Sequence, residues 1–262
     1  MLHTIKLVLA YDGTDFHGWA RQRDPAVRTI EGVVSERLAH VLREDVRLSV
    51  AGRTDAGVHA LGQVASLITE GRLAPERLQA ALNGSLAPEV VVLHAAEAPD
   101  GFDARFGAAA REYRYRIDTS PLPDPFSARF VWHRPGELSI LRMRSAARHL
   151  IGEHDFTSFC RHPGAGRSTV RRLERVSVVR SGDRIELGFR ANAFLHQMVR
   201  SLVGTLVTVG EGKLEPGQVP KILRARDRSA AGQVAPPHGL TLERVIYGRR
   251  SGSKTRGSAE AR

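Results

Sequence analysis

Asp55 stands in the segment Ala51-Gly52-Arg53-Thr54-Asp55-Ala56-Gly57-Val58-His59-Ala60, which places an acid, a cation and two glycines in one short stretch. A carboxylate beside Arg53 is ionised at neutral pH, because an unperturbed Asp titrates near about 3.9 and a neighbouring cation lowers that value. Such a group can act as a nucleophile or a general base. The flanking Gly52 and Gly57 allow backbone turns and close ligand approach that a side chain would block. Two blander readings stand beside this one. The Gly52 to Gly57 spacing opens a P-loop, but Val58-His59 follow where Lys-Ser/Thr is required for phosphate and magnesium. A plain hairpin connection with Arg53 and Asp55 as a surface ion pair remains open on local sequence alone.

Other chemistries are poorly supported. His59, His154 and His196 do not fall in an H-E-x-x-H pattern or in the H-x-E with P-C-x-x-C context of zinc deaminases, so no metal is expected. No G-x-S-x-G elbow is present for a serine hydrolase. The strongest nucleic-acid signal is Arg111-Glu112-Tyr113-Arg114-Tyr115-Arg116, where alternation is expected to put the tyrosines on one side of a strand and the arginines with Glu112 on the other. A tyrosine ring can stack on an extruded base while arginines bind phosphates, although Tyr-x-Tyr also serves plain core packing. His196 and Arg200 are four apart, so on a helix they share a face and can point into one polar cleft; a solvated face is the competing reading.

The elements that must position these residues follow from periodicity. Residues 4 to 11 read as a strand, 29 to 42 as a helix with Thr29 as N-cap, and 46 to 50 and 63 to 68 as strands. A helix near 75 to 83 opened by Pro75 and a strand at 89 to 94 complete the order βαββαβ, the split arrangement of ferredoxin-like units. The second half repeats that order with insertions. It has a strand at 111 to 117, a helix at 140 to 151, strands near 172 to 180 and 183 to 190, and a helix from 195 to about 209. A further helix near 218 to 225 and a strand at 242 to 247 follow. The expected fold class is α+β, with two ferredoxin-like (RRM-like) halves, each with helices on an antiparallel sheet whose opposite side remains available for a ligand. The expected division is residues 1–107, 108–248 and a disordered basic tail over 249–262.

Composition fits a nucleic-acid partner. The 262-residue chain is 42% hydrophobic, enough for a sizeable core, and carries a formal charge of +11. A single cysteine, Cys160, excludes an internal disulfide and suits a reducing cytoplasm. No apolar run approaches the roughly 18 residues of a membrane span, and no signal-like segment precedes the first strand, so a cytoplasmic protein with no membrane contact is expected.

With these residues assembled, the chain resembles the tRNA pseudouridine synthase A (TruA) family over nearly its whole length. The matching segments are Tyr11-Asp12-Gly13-Thr14-Asp15-Phe16-His17-Gly18-Trp19, the loop AGRTDAGVHA with Gln63-Val64, and Phe102-Asp103-Ala104-Arg105-Phe106. They continue through Arg111 to Tyr115, Asp155 to Phe159, Ala191 to Arg200, and Gly239-Leu240. The resemblance implies isomerisation of uridine to pseudouridine in the anticodon stem-loop of tRNA, at tRNA positions 38, 39 and 40, by a homodimer needing no cofactor, with an RNA-binding cleft between the two halves. It makes Asp55 the catalytic aspartate, Tyr113 the aromatic residue against the uracil, and Arg200 the cation paired with the aspartate. Arg53 is expected to hold the RNA backbone and help keep the target nucleotide flipped out. His59, Arg111, Arg114 and His196 are assigned with Arg53 and Tyr113 to RNA contact. Ala20, Glu31 and Thr241 depart from residues common in the family, and none touches the expected chemistry. A non-catalytic RNA-binding protein on the same scaffold, and a pseudouridine synthase for a different RNA, are the alternatives.

Overall fold

A computed structural model describes residues 2–161 and 166–248; the expected basic tail lies outside the described residues. The first strand, β1 (His3–Tyr11), buries Ile5, Leu7 and Leu9 on one face as its alternation demands. The chain then enters α1 (Ile30–Leu42), where Thr29 in extended conformation accepts a hydrogen bond from the Gly32 amide, a side-chain N-cap. Ile30, Val34 and Leu38 form its buried stripe. The expected strand at 46 to 50 is only β2 (Ser49–Val50), because residues 46 to 48 lack ladder partners. Its neighbour β3 (His59–Thr69) is longer than expected and begins inside the Asp55 segment. Pro75 opens α2 (Pro75–Leu86), and β4 (Val90–Ala98) closes the first half.

In the second half, β5 (Ala108–Asp118) carries the Tyr-x-Tyr motif and pairs with the short β6 (Trp132–His133). Then come α3 (Ile140–Arg148), β7 (Gly152–Asp155), β8 (Val170–Ser181) and β9 (Arg184–Ala191). The nearly all-buried α4 (Met198–Gly210), the short α5 (Val219–Ala225) and β10 (Leu240–Tyr247) complete the chain.

All ten strands of the described residues form one sheet, ordered β4-β1-β3-β10-β5-β9-β8-β7, with β2 on β3 and β6 on β5. The expectation of two antiparallel sheets is corrected here. The last strand is antiparallel to β5 but runs parallel to the start of β3, at Thr241↔His59 and Leu242↔Ala60, and so joins the halves into one sheet. Pattern reading misses such a seam, because a two-residue parallel contact between distant segments leaves no periodic trace. One principal core, from Ile5 through Trp19, Tyr115 and Phe159 to Leu242, spans both halves. The seam matters for chemistry because it fixes the root of the Asp55 loop against the tyrosine strand.

Candidate active site

The Asp55 loop joins β2 to β3 and is held from several sides. Trp19 donates its amide to Thr54 O at 3.0 Å, Gly57 donates to Phe16 O at 3.2 Å, and Val58 donates back to Asp55 O at 3.1 Å. Thr54 Oγ1 and Tyr11 Oη share a buried hydrogen bond of 2.9 Å, while Gln63 Nε2 donates to Gly52 O at 2.7 Å. Burial pushes the Tyr11 phenol up to about 12, so it stays a neutral partner. The glycines are not equivalent. Gly57 has φ of 74°, the left-handed region, whereas Gly52 has an ordinary φ and open space at its Cβ position. A further glycine, Gly18, is required at φ 89°, where a Cβ would lie 2.7 Å from Thr54 O. The Asp12-to-Trp19 segment is therefore the backing of the loop, a role its composition did not reveal.

Asp55 projects into a cleft of about 1300 Å³. Arg200 Nη1 lies 3.3 Å from Asp55 Oδ2 and His196 Nε2 lies 3.4 Å from Oδ1. Arg200 is itself fixed, since its Nε donates to Ala235 O at 2.7 Å and its carbonyl accepts from the Ala235 amide at 3.1 Å. The local reading of Arg53 and Asp55 as an ion pair is thereby replaced: the acid pairs across the two halves with Arg200, and Arg53 is exposed at the cleft wall. His196 and Arg200 do converge, but not as neighbours on one helix. Gln197 adopts a left-handed conformation (φ 61°) and α4 begins only at Met198, so His196 sits in the preceding turn. The apolar spacing of Leu195 and Met198 imitates helix through that turn.

Tyr113 lines the same cleft and is 8% exposed, with its ring edge-on to Phe194 at a centroid distance of 5.1 Å. Burial, reinforced by Tyr11 and the Asp55 charge, raises its phenol far above the ordinary value. It meets a substrate as a hydroxyl.

Three expected RNA-contacting residues are placed elsewhere in function. His59 is 2% exposed; its Nδ1 accepts from the Gly13 amide at 3.0 Å and its Nε2 donates to His238 O at 3.1 Å. Burial lowers its pKa, consistent with this neutral tautomer, and the 3.1 Å approach of Asp12 Oδ1 to Nδ1 then joins two acceptors rather than an ion pair. No ring nitrogen is left for RNA. Arg111 shares the parity of Tyr113, not of Arg114, and is 8% exposed. All five of its N–H groups donate to carbonyls: Nε and Nη2 to Ala51, Nη2 to Arg105, and Nη1 to Ala108 and Asn192. It clamps the root of the Asp55 loop to the segment leading into α4. Arg114 lies on the opposite face of the sheet, in ion pairs with Glu186 at 2.8 Å and Glu243 at 3.1 Å.

The cleft draws its charge from residues without a local signature. Arg21, Arg105, Arg161, Arg167 and Arg171 line it beside Arg53, Arg111 and Arg200, against the carboxylates of Glu31 and Asp55. They come from separate segments of the chain, so no single motif gathers them. A carboxylate anchored by an arginine and a histidine at the base of an arginine-lined cleft can react with a polyanionic substrate.

The family model for tRNA pseudouridine synthase matches residues 7–107 and 146–248 of the chain. The chain belongs to the tRNA pseudouridine synthase family. It is thus an isomerase that turns uridine into pseudouridine. Among its relatives, the tRNA pseudouridine synthase A of Geotalea daltonii is 42% identical over 94% of this chain and 100% of its own length. That of Geobacter sulfurreducens is 43% identical over the same shares, and that of Brevibacillus brevis 42% identical over 93% of this chain and 99% of its own.

Proposed function

We propose that Asp55 is the reacting carboxylate of this isomerase, acting on a uridine of the tRNA anticodon arm that has been flipped into the cleft. The observation that carries the reading is the Asp55 carboxylate held at 3.3 Å by Arg200 and 3.4 Å by His196 where the two halves meet. The reaction breaks the N1–C1′ bond, turns the uracil, joins C5 to C1′, and moves one proton from C5 to solvent while N1 gains one; no atom is gained or lost. Attack at C1′, attack at C6 and removal of a C2′ proton all start from the same ionised oxygen. Arg200 aims that oxygen by a charge-assisted contact. Tyr113 offers its ring and hydroxyl to the uracil, in place of the stacking and pairing that the base gives up when it leaves the RNA. Arg53, exposed at the wall, and the likewise exposed Arg21, Arg105, Arg161 and Arg167 take phosphates. A purely binding role is disfavoured, because an ionised carboxylate at the base of the cleft repels a phosphate backbone.

The organisation that supports this is a doubled one. β4-β1-β3-β2 and β10-β5-β9-β8 follow the same spatial order, so residues 1–107 and 108–248 are read as two ferredoxin-like units fused edge to edge. Family membership supports a homodimer in the cytoplasm, and Leu122 and Phe126, 79% and 94% exposed, give a second copy apolar surface to cover. Among the described residues no helix is long and apolar enough to cross a membrane.

The deciding experiment is Asp55→Asn, with pseudouridine in tRNA transcripts read by nucleoside mass spectrometry and tRNA affinity read separately. Binding is expected to persist while turnover disappears; appreciable pseudouridine from the variant would sink the assignment.

A further inference from the structure

Phe106 is 82% exposed, yet it lines the cleft that holds Asp55, with the Arg105 guanidinium carbon 5.3 Å from its ring centroid. Isolated exposed apolar side chains are ordinary on protein surfaces. What distinguishes Phe106 is how firmly its backbone is held.

Asp103 Oδ1 accepts from the amides of Arg105 at 2.7 Å and Phe106 at 2.8 Å, and Asp103 O accepts from Gly107 at 2.9 Å. Ala104 is fully buried against Ala51 and Val64. Its amide donates to Ser66 Oγ at 3.0 Å and its carbonyl accepts from Tyr247 Oη at 2.8 Å. Arg105 O accepts from Arg111 Nη2 at 3.0 Å, the same guanidinium that grips Ala51 O at the root of the Asp55 loop. Residues 103–107 are thus tied to the first half, to β10 and to the catalytic loop at once, while the Phe106 ring they present stays outside the core.

A ring presented on a fixed backbone loses little conformational freedom when a flat partner lands on it. When a nucleotide is extruded from RNA, its neighbours lose a stacking partner, and any π-face at the cleft mouth can replace it. Arg105 beside the ring adds a cation for the adjoining phosphate or for the base itself.

We propose that Phe106, with Arg105 beside it, is the stacking platform for the nucleobase next to the flipped uridine. The proposal rests on the uridine-flipping reading above. Phe106→Ala is expected to weaken tRNA binding by roughly 5- to 150-fold, the range of one base–aromatic stack. Fluorescence quenching of 2-aminopurine placed beside the target should disappear with it. Phe106→Trp is expected to restore both, and Phe106→Leu, apolar without a π-face, to behave like Ala. Thermal melting should be unchanged in all three variants, because the ring packs against little.

Wild-type affinity and quenching in Phe106→Ala would overturn the platform. Wild-type behaviour in Phe106→Leu would also overturn it, assigning the ring to apolar cover such as a protein contact. Affinity is measured apart from turnover, so a wild-type chain that binds tRNA but makes no pseudouridine would defeat the functional reading while the Phe106 affinity ratio still decided the platform.

Discussion

Arg111 and Arg114 belong to one strand and one short motif, yet they live in opposite worlds. Arg111 faces the cleft, buried, with its five donors spent on carbonyls of both halves. Arg114 faces away, 41% exposed, in a lattice where Glu186 and Glu243 also meet Arg116 and where Glu112 meets Arg190 and Arg244. The difference teaches where this sheet concentrates its interactions. On the cleft face a charge is removed from water and must be fully hydrogen-bonded, so each contact fixes geometry. Of these charges on the back face only Glu112 is buried, and a more exposed pair such as Arg114–Glu186 contributes little.

Substitutions on the cleft face should therefore have the most severe effects. Asp55→Asn removes the ionised oxygen and should lower single-turnover pseudouridine formation by at least about 1000-fold, the scale of losing a reacting group. Arg111→Met leaves the carbonyls of Ala51, Asn192 and Arg105 without their charged donor. A decrease of about 1–3 kcal/mol in urea unfolding is expected, the cost of leaving a buried acceptor unsatisfied. A variant as stable as the parent would contradict the clamp.

Arg200→Lys retains charge but loses the fork that reaches Asp55 and Ala235 together. Turnover should fall about 10- to 100-fold with tRNA affinity nearly kept, a split visible in separate binding and rate measurements.

His59 gives a pH signature. Its folded pKa lies below its ordinary value of about 6.5 because burial disfavours the charged ring. The unfolded chain therefore takes up the proton first on acidification. The stabilisation by neutral His59 is complete above about pH 6.5 and is lost as pH falls through the folded value. His59→Gln should flatten the decline of melting temperature between neutral and mildly acidic pH, and only in part, since burial lowers His238 in the same direction. The smallest effect belongs to the back face. Arg114→Met should change stability by less than about 1 kcal/mol and leave turnover within about twofold; a large decrease would erase the contrast between the faces.

Much of this is readable from the chain. Thr29 as N-cap, Pro75 as helix opener and the alternation of β1 and β9 are local matters of backbone and burial, so their residues announce them. The Arg53-Thr54-Asp55 loop announces itself through its residue types, and Asp55, Tyr113, His196 and Arg200 do line one cleft. His59 misleads because its motif position says nothing about burial. Arg111 misleads because the alternation of the strand puts it with Tyr113 and Tyr115, away from the neighbouring Arg114 and Arg116 with which its type groups it. Arg21, Arg161, Arg167 and Arg171 carry no signal of their own, and Arg105, although in a segment that matches the family, carries no sign of its place in the cleft.

By itself the sequence determined most of the longer helices and strands, the apolar stripes they bury, and that a carboxylate with flanking glycines sits on a connector; the short β6 and β7 and the turn before α4 escaped it. The features it determined are properties of near neighbours along the chain. The family resemblance implied the Asp55–Arg200 pair that local sequence left open against Arg53. Only the tertiary structure decided that one sheet runs through both halves, and that Arg111 is locked in carbonyl contacts while Arg53 is exposed at the cleft wall. Those outcomes depend on which distant groups share a desolvated space, and the short parallel seam between β10 and β3 that brings them together has no periodic signature in the chain.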